Sequence, residues 1–139
     1  MFEIKKSEAS LRIFGDTLIP EEISNLLCGT PTSSTTKGEI ITGKKTETSR
    51  IAVKGSWHLQ ANSKTPEDLN QQIQEILSQL TDNLDAWRKI SGKHKINLFC
   101  GLFLDTENGA LGISADNLVK LGQRGIELQL DIYEADQHK

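Results

Sequence analysis

Residues 126–133 alternate without a fault: Ile126, Leu128, Leu130 and Ile132 face one way, and Glu127, Gln129, Asp131 and Tyr133 the other. A strand written this way is half-buried, because a period of two puts all its apolar weight on one face. Sheets covered on both sides need strands that are apolar throughout, so a doubly wound parallel sheet is disfavoured. The pattern predicts an α+β fold: an antiparallel or mixed sheet with helices packed on one face, ferredoxin-like or a variant of it. At 139 residues the chain is one domain, 1–139, large enough for a real core and too short for two ordinary ones.

Other segments agree. Residues 9–15 alternate, with Leu11 and Ile13 on one face and Arg12 and Phe14 on the other, and Lys95 to Leu104 carries Ile96, Leu98, Cys100, Leu102 and Leu104 opposite Asn97, Phe99 and Phe103. A strand is expected from about Ile51 to Gln60, with Trp57 and Leu59 opposite His58. Pro20 suits a first helical position, Glu21 and Glu22 suit the positive dipole end, and Gly29 is expected to close that helix in a left-handed conformation. Thr65 reads as an N-cap with Pro66 after it, ahead of a stripe of Leu69, Ile73, Ile76, Leu77 and Leu80, with a break expected at residues 81–83 before Leu84 and Trp87. Residues 105–109 read as a turn, 110–113 as a short strand, and Ser114 as the cap of a helix with Leu118, Val119 and Leu121 inward, ended by Gly122.

Thr, Ser, Gly and Lys dominate residues 30–54, which predicts a flexible basic hairpin with its tip near Gly43, and 135–139 read as a short disordered tail. Lys37, Lys44, Lys45, Arg50 and Lys54 against Glu39 and Glu47 leave the hairpin at +3, while Glu67, Asp68, Glu75, Asp82 and Asp85 make the next helices acidic. The whole chain carries −3, which argues against a broadly basic nucleic-acid binder. Cys28 and Cys100 have no C-x-x-C neighbour and read as reduced, buried, apolar side chains. No apolar core of signal-peptide length follows the first residues and no run is long enough to span a bilayer, so the expected compartment is the cytoplasm.

Six short stretches recur together in one order: residues 11–16 (Leu-Arg-Ile-Phe-Gly-Asp), Pro20-Glu-Glu-Ile23, Leu26-Leu27 with Pro31 after it, Lys37-Gly38-Glu39, Gly55-Ser-Trp57 and Leu130-Asp-Ile-Tyr133. In order and spacing they resemble the bacterial domain of unknown function 4279, over nearly the whole chain. Ile19 departs from the family's pattern, which has an acidic residue there, and so leaves the first helix without its usual N-cap. The resemblance implies a bacterial source and no activity.

The spacings that carry chemistry are missing: no Walker loop, G-x-S-x-G, H-E-x-x-H, EF-hand or dinucleotide fingerprint occurs. Residues 38–45 lack the strand, loop glycines and helix-opening Lys of a phosphate loop, and His58, His94 and His138 share no ligand spacing. No cofactor and no metal are expected. Attention falls on the sheet's second face, where ferredoxin-like pairing would set Arg12 between Asn97 and Phe99 on one neighbour and Glu127 and Asp131 on the other, with Phe14, Phe103 and Tyr133 nearby. Aromatics mixed with a few polar groups on an open sheet make a binding platform. The plainer reading is preferred: a cross-strand ion pair for Arg12, with the rings packed under the hairpin or a second subunit. Trp57 belongs to the same candidate set, either in that cover or, by preference, in the core.

The expected function is therefore a non-enzymatic protein-interaction module, immunity-like or homo-oligomeric, whose binding residues are Arg12, Phe14, Trp57, Phe99, Phe103 and Tyr133. The alternative is a small-ligand-binding or enzymatic domain with its pocket between hairpin and sheet, lined by Arg12, Trp57, Phe99 and Tyr133. Membrane is not an expected partner, and Glu127 and Asp131 disfavour nucleic acid.

Overall fold

The computed structural model describes residues 3–42 and 49–134. In chain order these form β1 (Lys6–Gly15), α1 (Pro20–Leu27), β2 (Ser33–Thr35), β3 (Ile40–Thr42), β4 (Ser49–Ile51), β5 (Gly55–Gln60), α2 (Leu69–Leu77), α3 (Leu84–Ser91), β6 (Lys95–Phe103), α4 (Ala115–Gln123) and β7 (Glu127–Tyr133). The expected hairpin tip at Gly43 and the tail 135–139 lie outside the described residues.

Five strands make one mixed sheet in the order β2-β5-β1-β6-β7, and β3 pairs with β4 as a separate ribbon. Pairs β2·β5, β5·β1 and β1·β6 are antiparallel, and β6·β7 is parallel. The first four form a split β-α-β arrangement: β1, α1 and β2 run as one crossover with β5 inserted between its strands, and α2 and α3 lead on to β6. That is the ferredoxin-like plan. α4 and β7 extend it by one β-α-β step, which requires a parallel neighbour.

One flank of the sheet is apolar and roofed by the helices. Leu11, Ile13, Trp57, Leu59, Ile96, Leu98 and Cys100 pack against Ile23, Leu27, Ile73, Ile76, Trp87, Ile90 and Leu121. Each large side chain so buried contributes about 1.5–3 kcal/mol. Both indoles find a partner for their N–H: Trp57 Nε1 donates to Ser24 Oγ at 3.0 Å and Trp87 Nε1 to the Thr81 carbonyl at 2.8 Å. Among the described residues no helix is long and apolar enough to cross a membrane.

Several local expectations change. α1 starts at Pro20 behind an uncapped Ile19, but Cys28, not Gly29, takes the left-handed conformation (φ 58°), and the Gly29 N–H bonds the Ser24 carbonyl in a Schellman-like closure. Gly29 serves a contact instead, since a Cβ there would lie 2.4 Å from Leu80 Cδ2. Cys28 is consequently exposed, and only Cys100 is the buried thiol expected.

The cap of α2 lies three residues beyond the expected Thr65. Lys64 and Ser7 exchange backbone bonds and Glu67 N–H donates to the Ile4 carbonyl, so these amides are committed to β1 and the residues leading into it. Asp68 then caps the helix, accepting from Gln71 N–H at 3.1 Å. The break at 81–83 is present, with Asn83 capping α3. Residues 110–113 form no strand: Asn70 of α2 holds them by donating to the Gly112 carbonyl and accepting from Ser114 N–H. α4 runs past Gly122 and turns Asn117 inward, where its Nδ2 donates to Asn70 Oδ1 at 2.8 Å. Leu121 is buried as expected, but Leu118 and Val119 are exposed.

Candidate functional site

The strand registers lay out the other face of the sheet in rows. Ser33, His58, Arg12, Asn97 and Glu127 cross it in one line. Gln60, Ser10, Phe99 and Gln129 form the next line, then Glu8, Gly101 and Asp131, then Lys6, Phe103 and Tyr133. On the far side of Arg12, Phe14 sits between Ser56 and Lys95. On β1, β5 and β6 these point away from the helices because each alternates with a core residue, and β7 keeps the same alternation in register with β6. Asp131 and Arg12 thus share the face opposite Leu128 and Leu130.

β7 is one strand further from β1 than expected. The neighbours of Arg12 are His58 and Asn97, not Glu127 or Asp131. The preferred ion pair is absent: among the described residues no carboxylate lies within 4.0 Å of Arg12. Its Nε donates to Asn97 Oδ1 at 3.0 Å, and its Nη2 reaches across β6 to Gln129 Oε1 at 2.9 Å. Phe99 lies beneath the guanidinium, 4.2 Å from ring centroid to Cζ, with the Phe14 ring at 5.3 Å. Two neutral amides and two π-faces hold the cation in place without neutralising it. Nη1 keeps its hydrogens free of any protein acceptor among the described residues, and Arg is well suited to meet a planar oxyanion with such an edge.

His58 is half-buried beside this cation, with Phe14 edge-on at 5.6 Å. Burial, and secondarily the Arg12 charge, lower its affinity for a proton below the ordinary imidazole value. Its Nε2 has no hydrogen-bond partner among the described residues. Nothing in a single sequence marks His58 as the neighbour of Arg12; the β1–β5 register supplies that.

At the other end of the face Phe103 and Tyr133 stack with centroids 4.8 Å apart, Lys6 Nζ sits 5.0 Å over Phe103, and the Tyr133 hydroxyl donates to Asp131. That bond, then slight desolvation and the Asp131 and Glu8 charges, raise the phenol's pKa. Gly101 opens a shallow groove of about 230 Å³ between Phe99 and this stack. A Cβ at Gly101 would already touch Phe103 at 3.4 Å.

Of the six residues expected to form the site, the structure brings together Arg12, Phe14 and Phe99 at one end and Phe103 with Tyr133 at the other. Trp57 is apart from them. It is fully buried on the helix side, so the sheet stands between its indole and Arg12. Cys100 is likewise on the core side, its thiol pushed up to about 12 by burial. Among the described residues no group of three His, Cys, Asp or Glu side chains could hold a metal ion.

A ferredoxin-like sheet with one added β-α-β step, roofed on one face and ring-bearing on the other, defines an α+β sandwich of open-faced type. The chain belongs to the family described as Domain of unknown function (DUF4279), whose model matches residues 3–135. No curated protein and no solved structure matches it.

Proposed function

We propose that the protein is a non-enzymatic interaction module of bacterial cytoplasm that binds a protein partner, in an immunity-like role or as a second copy of itself, through the open face of its sheet. The observation that carries this reading is Arg12: a cation fixed by two amides and two rings, with an unsatisfied edge pointing off an uncovered face. A partner carboxylate seated there would gain a charge-assisted bond at little cost in ordering the arginine. The groove beside Phe99 is shallow and open, as suits a docking protein side chain better than an enclosed small substrate. Among the described residues β7 also leaves the sheet an unpaired edge, next to the open face that carries Gln129, Asp131 and Tyr133, and such an edge can take a partner strand. Two free cysteines, one exposed and one buried, suit a reducing compartment, and the family resemblance supports the bacterial source.

The test is a photo-crosslinking amino acid placed at Gln129 on the open face and, in a second variant, at Gln79 beside the helices, each expressed in the source cell. A discrete protein adduct from position 129, lost on Arg12→Gln and weaker or missing from position 79, is the expected result. Equal labelling from both positions, or adducts indifferent to Arg12→Gln, would refute the reading.

A further inference from the structure

A second concavity lies beyond Phe14, where the β3–β4 ribbon leans over the β2–β5 edge of the sheet and leaves a cavity of about 310 Å³. Its chemistry is one-sided. The charged side chains on its wall are Arg50 and Lys54, and neither forms an ion pair among the described residues. Lys54 Nζ lies 4.8 Å over the Phe14 ring whose centroid is 5.3 Å from the Arg12 guanidinium, so two cations share one aromatic, and with Arg50 on the cavity wall none of the three has an ion-pair partner among the described residues. Like charges kept this close are costly unless an anion joins them.

The neutral groups of the wall are hydrogen-bonding too. Ser33, Thr35 and Ser56 present hydroxyls to the cavity. Thr35 and Ser56 bond each other at 2.8 Å, and Thr35 Oγ1 also lies 3.4 Å from the Lys54 carbonyl, so Ser56 is free to donate to a ligand when Thr35 donates to Ser56 and gives up that longer bond. His58 adjoins them with its unpartnered Nε2. Several donors and two cations converging on one small volume match a tetrahedral dianion better than a planar carboxylate, which offers only two oxygens. Phe14, Ile41 and Val53 make the rest of the wall apolar, and a volume of this size suits a small organic ligand.

We propose that this cavity binds a small phosphate monoester, its phosphoryl group held by Arg50, Lys54 and the hydroxyls of the β2–β5 edge, its organic part set against Phe14, Ile41 and Val53. The site shares Phe14 and His58 with the rim of the protein-docking surface, but its charged contacts, Arg50 and Lys54, lie outside that surface, so it stands whether or not that surface is used.

The experiment is an amide and imidazole NMR titration of the full chain at low ionic strength with phenyl phosphate, and in parallel with inorganic phosphate. Saturable shifts confined to residues 33–35, 50–58 and Phe14 are expected, with phenyl phosphate the tighter ligand. Arg50→Gln and Lys54→Gln, both at exposed positions that leave the fold intact, should each weaken binding about tenfold, the size of one lost charge-assisted contact. Lys89→Gln on α3 should leave it unchanged. Non-saturable shifts, equal affinity for inorganic phosphate, or wild-type binding by both charge variants would overturn the assignment.

Discussion

Arg12 Nε and Asn97 Oδ1 meet at 3.0 Å across the antiparallel β1–β6 pair, on the face the helices leave uncovered. The pairing is unequal: Asn97 is nearly buried, whereas the arginine tip remains half-open to water. Asn97→Ala should therefore cost about 1 kcal/mol in urea unfolding, the net worth of one such bond, while releasing the guanidinium from its fixed pose. Asn97→Asp should recover the stability by turning the contact into an ion pair. It should also abolish binding of an acidic partner, because the cation is then neutralised.

Ser7 and Gln72 form the core's polar bridge, both fully buried. Ser7 Oγ donates to Gln72 Oε1 at 2.6 Å, and Gln72 Nε2 donates to the carbonyls of Ser7 and Asn62. Gln72→Ala strands these groups together and should cost about 2–4 kcal/mol by chemical denaturation. Ser7→Ala should cost less, and the double variant should fall short of the sum of the two.

Gly55 pairs with Gly15 where β1 ends and β5 begins, and a Cβ at Gly55 would lie 2.4 Å from the Leu18 carbonyl oxygen. The obstacle is backbone and cannot swing aside. Gly55→Ala should lower stability by about 1–3 kcal/mol, read as a shift of the denaturation midpoint with unchanged slope.

The layout of the sheet was legible because Leu11, Ile13, Leu98 and Leu128 announce their face by alternation, and the break before Leu84 by its polar residues. Helix ends were less so. The Thr65-Pro66 pair reads as a cap, yet the start of α2 is decided by which amides β1 has already taken, a tertiary fact. Leu118 and Val119 look inward on a helical wheel, but α4 packs by Asn117 because Asn70 waits for it on α2. The site divides similarly. Arg12, Phe14 and Phe99 could be named from pattern, whereas the Gln129 contact, the place of His58 and the removal of Trp57 to the other layer all depend on strand order.

His58 and His94 both bind protons less readily in the fold than in the unfolded chain, His58 from burial and the Arg12 charge, His94 from burial and Lys93 against a smaller opposing pull from Glu22. In such a case the unfolded state takes up the proton first, so stability is complete above about pH 6.5 and falls as pH drops from there toward the lowered folded values. Thermal unfolding between pH 7.5 and 5, above the range where carboxylates titrate, should show that decline. His58→Gln should flatten part of it and His94→Gln the remainder.

The central claim is that the sheet has one roofed face and one open face, and adjacent residues of β1 test it most directly. Ser10 points to the open side and Ala9 is fully buried under the helices. In a Cys28→Ser background, the thiol of Ser10→Cys should react with a small alkylating reagent about a hundredfold faster than that of Ala9→Cys, which is reached only when the fold opens. Equal rates at the two positions, in a folded protein at low concentration, would contradict the account.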